Sequence, residues 1–418
     1  MVLPDNALII RFRERCTEEP LMKDDNAKLI RTNRVFLAED SCDLNEFRRT
    51  VERSVNLADY PFASDVVKNV LVYDGLRARA AAASPEARKD LMAEWVEALT
   101  DGPGVIAIRG TFADMGPIDR TNDHYWAIIE DERRSNVGGG DHFAKPGAND
   151  RIWNALEKLC LRDPAAFAAY YGNAVIALVS EAWLGPAYQI TSQLNVVNPG
   201  GAAQVAHRDY HLGFQSPRAI ERYPAHVHRL SPVLTLQGAV AHCDMPLETG
   251  PTLYLPFSHG YLQGYMATAR TEFRDYFEAH HVQLPLAKGD AVFFNPALFH
   301  AAGTNRSKDV RRIANLLQVS SAFGRAMESV DRLKMSLRLY PALRGLLADR
   351  AITGGEADNA IAASAEGYSF PTNLDRDPPK GGLAPKSQQD LMRQALKENW
   401  PPEVFAEEAE AQAWRKLT

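Results

Sequence analysis

The sequence feature that most constrains the fold is a series of short β-rich runs between residues 190 and 320, separated from one another by turn residues. The clearest runs are Ile190–Val197, Val233–His242, Thr252–Leu255 and Ala291–Phe294. Their connections carry glycine, proline, asparagine and aspartate, the residues that turns require. Short strands at this spacing are typical of a sandwich or a small barrel. The region therefore predicts a double-sheet β-barrel.

Patterns typical of helices flank this region on both sides. Ser84-Pro85 marks a helix start, apolar residues then recur at helical spacing, and Gly102 ends the helix. A β-branched run at 104–109 predicts a buried strand. Further helices are predicted at 152–161, 164–184, 330–339 (ending before Pro341) and 391–396. The predicted fold class is α+β, with a double-stranded β-helix core (a jelly-roll or cupin-like barrel) flanked by helices.

Changes in composition divide the chain into three parts. Residues 1–83 lack a strong period and are predicted to be an N-terminal extension. Residues 84–322 form the predicted central domain, with its barrel core at about 186–322. Residues 323–418 are predicted to be a helical and irregular extension, whose acidic tail packs outside or helps to form a homodimer. The stretch Gly138–Gly140 lacks the Lys-Ser/Thr of a phosphate-binding loop, so it predicts a mobile loop over a site.

Charge and hydropathy exclude several classes of partner. Lys and Arg number 47 against 53 Asp and Glu, a net charge of −6, so neither sign dominates enough for nucleic-acid binding. No run approaches the roughly 20 apolar residues that cross a bilayer, and the first residues lack a signal-peptide pattern. None of the four cysteines has the spacing of a zinc or redox pair. We expect a cytoplasmic protein without a membrane or nucleic-acid partner.

The triplet His207-Arg208-Asp209 is the most informative motif for chemistry. In an extended segment residues i and i+2 share a face, so the imidazole and the carboxylate converge. Two histidines and one carboxylate on one face of an octahedral ion form the non-haem iron(II) arrangement and leave three positions open. His300, which closes the strand-like segment that begins at Gly289, is the best candidate for the second histidine.

An arginine pair follows the second candidate histidine. Arg311 lies 11 residues after His300 in a strand-like run, and a guanidinium that faces a barrel interior requires an anion. The spacing favours Arg311 as the group that binds an acidic cosubstrate. Arg312 would then point to the opposite face, and a shift of register by one residue would exchange the two.

In these motifs and their order, the sequence resembles the phytanoyl-CoA dioxygenase family of iron(II)- and 2-oxoglutarate-dependent oxygenases, over residues of about 90 to 320. The resemblance rests on the strand at 104–109, Pro199-Gly200 before His207-Arg208-Asp209, the run from Glu248 to His259, and the run from Gly289 to His300 and Arg311. It implies that His207, Asp209 and His300 hold iron(II) and that Arg311 binds the distal carboxylate of 2-oxoglutarate.

The chain departs from the family pattern at two positions. Ala302 stands where members often have a hydroxyl residue, so another side chain must supply that hydrogen bond to the cosubstrate. Phe257 stands where members usually have glycine before a Ser-His pair. Neither position is one of the expected iron ligands.

Five further residues are candidates for contacts inside the site. Gln193 and Asn195 alternate along one strand and are expected to face the barrel interior, where they bind cosubstrate or make structural hydrogen bonds. Arg208, Tyr210 and His211 adjoin the ligand motif and are expected to contact substrate or to close the rim of the site.

The resemblance implies an enzyme that uses O2 to convert 2-oxoglutarate to succinate and CO2 while it oxidises a small organic molecule. Hydroxylation is the default outcome, although desaturation or ring closure would use the same ligands. Asp209 argues against halogenation, because related halogenases lack this carboxylate. The alternative is a cupin-like protein that binds metal or ligand without turnover, as a sensor or scaffold. The substrate itself stays open.

Overall fold

The computed structural model describes residues 31–135 and 147–417. The predicted loop at Gly138–Gly140 lies outside the described residues. Eleven strands are found in this part of the chain: β1 (Asp65–Val67), β2 (Val70–Asp74), β3 (Val105–Arg109), β4 (Asn149–Ile152), β5 (Gln189–Val197), β6 (Thr235–Ala241), β7 (Leu253–Leu255), β8 (Val282–Gln283), β9 (Ala291–Phe294), β10 (Phe299–Ala301) and β11 (Arg312–Ser320).

Helices precede, interrupt and follow these strands. They are α1 (Leu44–Val51), α2 (Gly75–Ala82), α3 (Pro85–Thr100), α4 (Gly116–Ser135), α5 (Ala155–Arg162), α6 (Pro164–Tyr171), α7 (Ala174–Leu184), α8 (Pro217–Ile220), α9 (Ala225–Val233), α10 (Gly264–Ala267), α11 (Thr271–His280), α12 (Arg332–Ala348), α13 (Gly354–Ser364), α14 (Gln388–Lys397) and α15 (Pro402–Arg415). No helix in the described ranges is both long enough and apolar enough to cross a membrane.

Two sheets form the centre of the molecule. The larger has the strand order β1-β2-β3-β9-β6-β11-β5-β4, and the smaller has the order β10-β7-β8. All pairings are antiparallel except that of β2 with β3. Phe294 of the large sheet contacts Tyr254 of the small one, with ring centroids 5.2 Å apart. The double-sheet prediction is confirmed, although the large sheet is open and does not close into a barrel.

Alternation along the strands separates the core from the space between the sheets. On β11, Ile313, Leu317 and Val319 belong to the hydrophobic core that the helices form on the outer face of the large sheet. Since successive side chains point to opposite faces, the residues between them face the small sheet. The outer face of the small sheet is covered in turn by a second cluster, which includes Phe47 of α1 and Phe277 of α11. The order of layers is therefore helices, large sheet, small sheet, helices.

Several element boundaries differ from the sequence prediction, each for a local reason. The helix predicted at 164–184 is two helices, because Asn173 caps a new one by accepting hydrogen bonds from Val175 N and Ile176 N. Strand β6 begins only at Thr235, since the preceding residues form α9. Helix α12 continues through Pro341 instead of ending before it, because its flanking residues pack in the core.

The regions predicted as extensions contribute to the same sheets and core. Residues 65–74 form β1 and β2, and β2 pairs with β3 of the large sheet. Helices α12 to α15 supply buried side chains, among them Leu339, Met392 and Phe405, to the helix-side core. The predicted acidic tail is helix α15. The domain boundaries at 83 and 322 themselves stay predictions.

Candidate metal centre

The fold brings His207, Asp209 and His300 to one point between the two sheets. His300 lies on β10, and the His207 segment pairs with it through an antiparallel bridge, with N–O distances of 3.0 and 3.2 Å. One donor atom from each of the three side chains lies within 4.8 Å of the others. The convergence predicted from the sequence is therefore present, and the bridge is what aligns the two histidines.

Backbone carbonyls orient both imidazoles. His207 Nδ1 lies 2.8 Å from Val205 O, and His300 Nδ1 lies 2.9 Å from Leu298 O. Because a carbonyl only accepts, Nδ1 donates in each ring and the Nε2 lone pair is left free to bind a metal. The Nε2 atoms lie 3.5 and 3.3 Å from the Asp209 carboxylate.

The protonation states suit a metal. Burial lowers the pKa of His207, and the second imidazole beside it, that of His300, adds to this shift, which favours the neutral ring. Burial alone would raise the pKa of Asp209, but its close contacts with the two imidazoles and with the Gln237 amide hold it well below its usual range. The amide of Gln237 also donates to Asp209 Oδ2. Neutral imidazoles and an ionised carboxylate are the forms that bind a divalent ion.

The inner face of the large sheet carries polar atoms that no described residue satisfies. These buried atoms are Gln193 Nε2, Asn195 Oδ1, Gln237 Oε1 and Gln318 Oε1. A buried polar atom left without a partner destabilises a fold by about 1–3 kcal/mol. A row of them beside the two-histidine, one-carboxylate set therefore fits a site that a metal and a polar cosubstrate complete. The inward orientation expected for Gln193 and Asn195 agrees with this placement.

The structure corrects the expected orientation of the arginine pair. Arg311 lies on the helix side of β11, where its side chain is 44% exposed, pairs with Asp150 at 3.3 Å and stacks on Trp126 of α4 at 4.1 Å. Arg312 faces the space between the sheets and is buried, with only long contacts of 3.4 Å from Nη1 to Thr249 O and Gly303 O. The orientations predicted for the two arginines are therefore reversed.

Arg312 is buried, and a buried guanidinium without a charged partner is stabilised when it binds an anion. Desolvation lowers its pKa to about 10, although Cys243 and Tyr254 oppose the shift. The group stays charged at neutral pH, and no carboxylate among the described residues pairs with it. A guanidinium in such surroundings is suited to a bidentate bond with a carboxylate. The hydroxyl of Tyr254, on the adjacent small sheet, lies within range of the Arg312 charge.

Arg208 does not face the site, contrary to the sequence expectation. It is 3% exposed, its Nη2 donates to Ser258 O and Tyr261 O, and its guanidinium stacks on Tyr265 and Phe299. These partners lie in the core outside the small sheet. Because Arg208 stands between two residues that point inward, alternation sends its side chain outward.

Tyr210 and His211 follow the ligand motif in strained backbone. Their φ angles are 62° and 43°, and Tyr210 combines its value with ψ 147°, a region that almost only glycine occupies. Tyr210 is buried, with no hydrogen bond to its hydroxyl among the described residues. His211 lies 3.1 Å from Ser231 and lines an apolar groove of about 260 Å³ with Leu212 and Leu230.

The departure at Phe257 also has a structural consequence. Its φ is 67°, in the left-handed region where the glycine of other members is unstrained. The ring is buried and Arg53 stacks over it at 4.6 Å, so packing holds the strained residue in place.

Sequence reasoning missed two groups of this site. No motif marks Gln237, although the alternation of side chains along β6 predicts that it faces inward. Glu328, whose buried carboxyl lies beside the inward-facing Gln193, follows the last strand in an irregular segment, and no local pattern points to it.

Two histidines and one carboxylate that face one point between the layers of a double-sheet fold are the arrangement of non-haem iron(II) oxygenases. The chain belongs to the phytanoyl-CoA dioxygenase (PhyH) family, whose model matches residues 87–313. Iron(II) and 2-oxoglutarate are its cofactors, and the membership favours the enzyme over the non-catalytic scaffold that the sequence left open.

Several solved structures are similar to the chain at low identity. The non-heme alpha-ketoglutarate-dependent epimerase SnoN from nogalamycin biosynthesis is 19% identical, and the match covers 57% of this chain and 85% of SnoN with a TM-score of 0.40. The carbocyclase SnoK from the same biosynthesis is 18% identical over 57% of this chain and 84% of SnoK, with a TM-score of 0.39. EvdMO1 is 18% identical over 55% and 50% of the two chains, also at 0.39. No curated protein matches the sequence.

Proposed function

We propose that the enzyme hydroxylates a small organic molecule with O2 and 2-oxoglutarate, and that His207, Asp209 and His300 hold its iron(II). The observation that carries this proposal is the approach of the three donor atoms to within 4.8 Å of one another, with both Nε2 atoms free. When bound there, iron(II) supplies the oxygen activation that couples oxidation of substrate to conversion of 2-oxoglutarate into succinate and CO2.

The residues of the chain have distinct tasks in this reaction. Arg312 binds the distal carboxylate of 2-oxoglutarate, and Asn195, on the neighbouring strand, contacts the same molecule. Val205 O and Leu298 O keep the imidazoles oriented, and Gln237 orients the Asp209 carboxylate. The aspartate occupies the position that a halide would need, so hydroxylation is favoured over halogenation.

Succinate formation tests the proposal directly. Wild-type protein with iron(II), 2-oxoglutarate and O2 is expected to form succinate, and His300→Ala and Asp209→Ala are each expected to reduce the rate at least a hundredfold. His281→Ala, which changes a histidine outside the site, serves as the control. Triad variants that keep the wild-type rate would contradict the ligand assignment.

Hydroxylation itself is read from the product. Once a substrate is identified, its product is expected to gain the mass of one oxygen atom, supplied by labelled O2. Loss of two hydrogen atoms without a gain of oxygen would instead show desaturation or ring closure.

A further inference from the structure

An apolar groove opens between α9 and the segment that follows the metal motif. Its volume is about 260 Å³, and its apolar lining comes chiefly from Leu212, Val227, Leu230 and Leu234. No Asp, Glu, Lys or Arg is among the described residues that line it. Leu230 is 47% exposed and Tyr223 is 41% exposed, so the groove leaves apolar surface in contact with water. Concave apolar surface of this kind is typical of small-molecule sites.

One wall of the groove is continuous with the metal motif. His211, on that wall, is two residues after Asp209, so the Cα atoms of the two residues are at most about 7.6 Å apart. His211 Nδ1 lies 3.1 Å from the Oγ of Ser231 in α9, which joins the two walls. The hydroxyl of Tyr265 donates to the same oxygen over 3.4 Å. The groove therefore begins within two residues of a candidate metal ligand.

Strand register places the groove beyond the metal centre, at the end of the inner face opposite Arg312. Arg312 is the first residue of β11, and the last residues of β11 pair with the start of β6. Gln237, which donates to Asp209, is the third residue of β6, and Leu234 of the groove directly precedes this strand. The order along the inner face is therefore the arginine, the Asp209 carboxylate and the groove. A cosubstrate that reaches from the arginine to the metal leaves the groove free.

Resting on the proposed function, we propose that the groove binds the hydrocarbon body of the substrate, which is therefore a largely apolar molecule. Burial of apolar area drives its binding, since the lining offers no charged partner to an ionic group. Val227 and Leu230 then help to determine how large a hydrocarbon the enzyme accepts. A second copy of the chain is the alternative occupant, but a concave surface beside a candidate metal ligand favours a small molecule.

A series of fluorinated alcohols tests this assignment. Trifluorobutanol, trifluorohexanol and trifluorooctanol, each with its fluorines on the terminal carbon, are titrated into protein loaded with manganese(II) and 2-oxoglutarate under nitrogen. Binding is followed by fluorine NMR. Wild-type affinity is expected to rise at least twofold per added methylene, against about fourfold for complete burial.

Manganese(II) also reports where the alcohol binds. It suits octahedral sites with carboxylate ligands, and it is paramagnetic, so it broadens the signals of nearby nuclei. The fluorine signal of bound trifluorooctanol is expected to be broader with manganese(II) than with zinc(II), because the groove adjoins the metal motif.

Two groove variants test the lining. Leu230→Asn removes apolar surface and is expected to weaken trifluorooctanol binding at least fivefold, with 2-oxoglutarate affinity unchanged. Val227→Phe fills the groove without adding polarity and is expected to weaken trifluorooctanol more than trifluorobutanol. Leu247→Asn is the matched control, because Leu247 is 44% exposed and does not line the groove, and it is expected to stay within twofold of wild type. Urea midpoints of all three variants show whether each is folded.

The inference is overturned if affinity does not rise with chain length, if both folded groove variants bind as the control does, or if manganese(II) does not broaden the signal of bound trifluorooctanol. It is also overturned if wild type is a dimer that Leu230→Asn converts to monomers, since the groove would then be a subunit interface. Binding of manganese(II) and 2-oxoglutarate is measured first. Its failure contradicts the proposed function, whereas normal binding of both with an adverse alcohol result contradicts the substrate inference alone.

Discussion

The choice between two adjacent arginines depends on which face of β11 each guanidinium occupies. Residue counting from His300 favours Arg311, and pairing of β11 with β5 and β6 places Arg312 inward instead. A shift of one residue exchanges the faces of a strand, so spacing across an irregular connection cannot fix such an assignment. The triad could be predicted because two of its members share one extended triplet and the third closes a recognisable run.

Exchange of each arginine for alanine distinguishes the two faces. Arg312→Ala is expected to weaken 2-oxoglutarate binding about 100-fold, because a charge-assisted bidentate bond is lost and each 1.4 kcal/mol is tenfold in affinity. The dissociation constant, measured by calorimetry with iron(II) under nitrogen, provides the test.

Arg311→Ala is the matched control. It removes an exposed pair with Asp150 and is expected to change stability by about 0–1 kcal/mol and 2-oxoglutarate affinity by less than threefold. A large loss of affinity in this variant, with none in Arg312→Ala, would restore the assignment made from spacing.

Glu328 should make stability depend on pH. Burial raises its pKa from 4.5 to about 7, so between these values the folded state keeps a proton that the unfolded chain releases. Its contribution to stability therefore falls as pH rises from about 4.5 to about 7 and is constant above that.

The comparison of wild type with Glu328→Gln isolates this effect. From pH 5 to pH 8, wild type is expected to lose on the order of 2 kcal/mol of unfolding free energy relative to the variant. Urea unfolding of both proteins at pH 5 and pH 8 measures this change in unfolding free energy. A difference between the two proteins that does not change with pH would show that the buried carboxyl is ionised throughout.

At the level of elements, side chains along β5, β6 and β11 alternate between the helix-side core and the space that holds the candidate site. One face supplies apolar residues to the helices and the other supplies amides to the space between the sheets. The strands could be predicted because the alternation of β-branched residues is a local pattern. The start of a new helix at Asn173 could not, because a side-chain cap decides it. The continuation of α12 through Pro341 could not either, because packing of that helix in the core decides it.

A buried polar network joins α4, α6 and the large sheet. His242 lies 2.7 Å from Asn122 Oδ1 and 2.8 Å from Tyr170 OH, and Asn315 Nδ2 donates to the same hydroxyl. Burial lowers the pKa of His242 to about 3, so the ring is neutral and its bonds persist at neutral pH.

Tyr170→Phe removes the central hydroxyl of this network. We expect a loss of about 1–3 kcal/mol in unfolding free energy, because His242 Nε2 is left buried without a partner. Tyr368→Phe, at a 38% exposed position, is expected to stay within about 0.5 kcal/mol. Equal effects of the two changes, measured in urea, would mean that the network adds nothing to stability.

On the scale of the whole molecule, the site depends on both sheets and on segments far apart in sequence. The ligands come from the small sheet and the segment bridged to it, the arginine comes from the large sheet, and Glu328 comes from the connection to α12. Sequence patterns predicted the layers but not how the terminal regions join them, because those contacts are long-range.

Binding of iron(II) to His207, Asp209 and His300 should stabilise the entire fold, because these ligands come from separate segments of the chain. At a free iron(II) concentration of 100 times the dissociation constant, wild type is expected to gain about 2.7 kcal/mol in unfolding free energy. Asp209→Ala lacks one ligand and is expected to gain much less. Unfolding under nitrogen with and without iron(II) measures this, and equal gains in both proteins would place the metal elsewhere.

The most direct test of the account is a crystal structure of the protein with iron(II) and 2-oxoglutarate, grown without oxygen. We expect one ion bound by His207 Nε2, His300 Nε2 and the Asp209 carboxylate, with the distal carboxylate of 2-oxoglutarate on Arg312. An ion held by other residues, or a cosubstrate carboxylate on Arg311, would contradict the account.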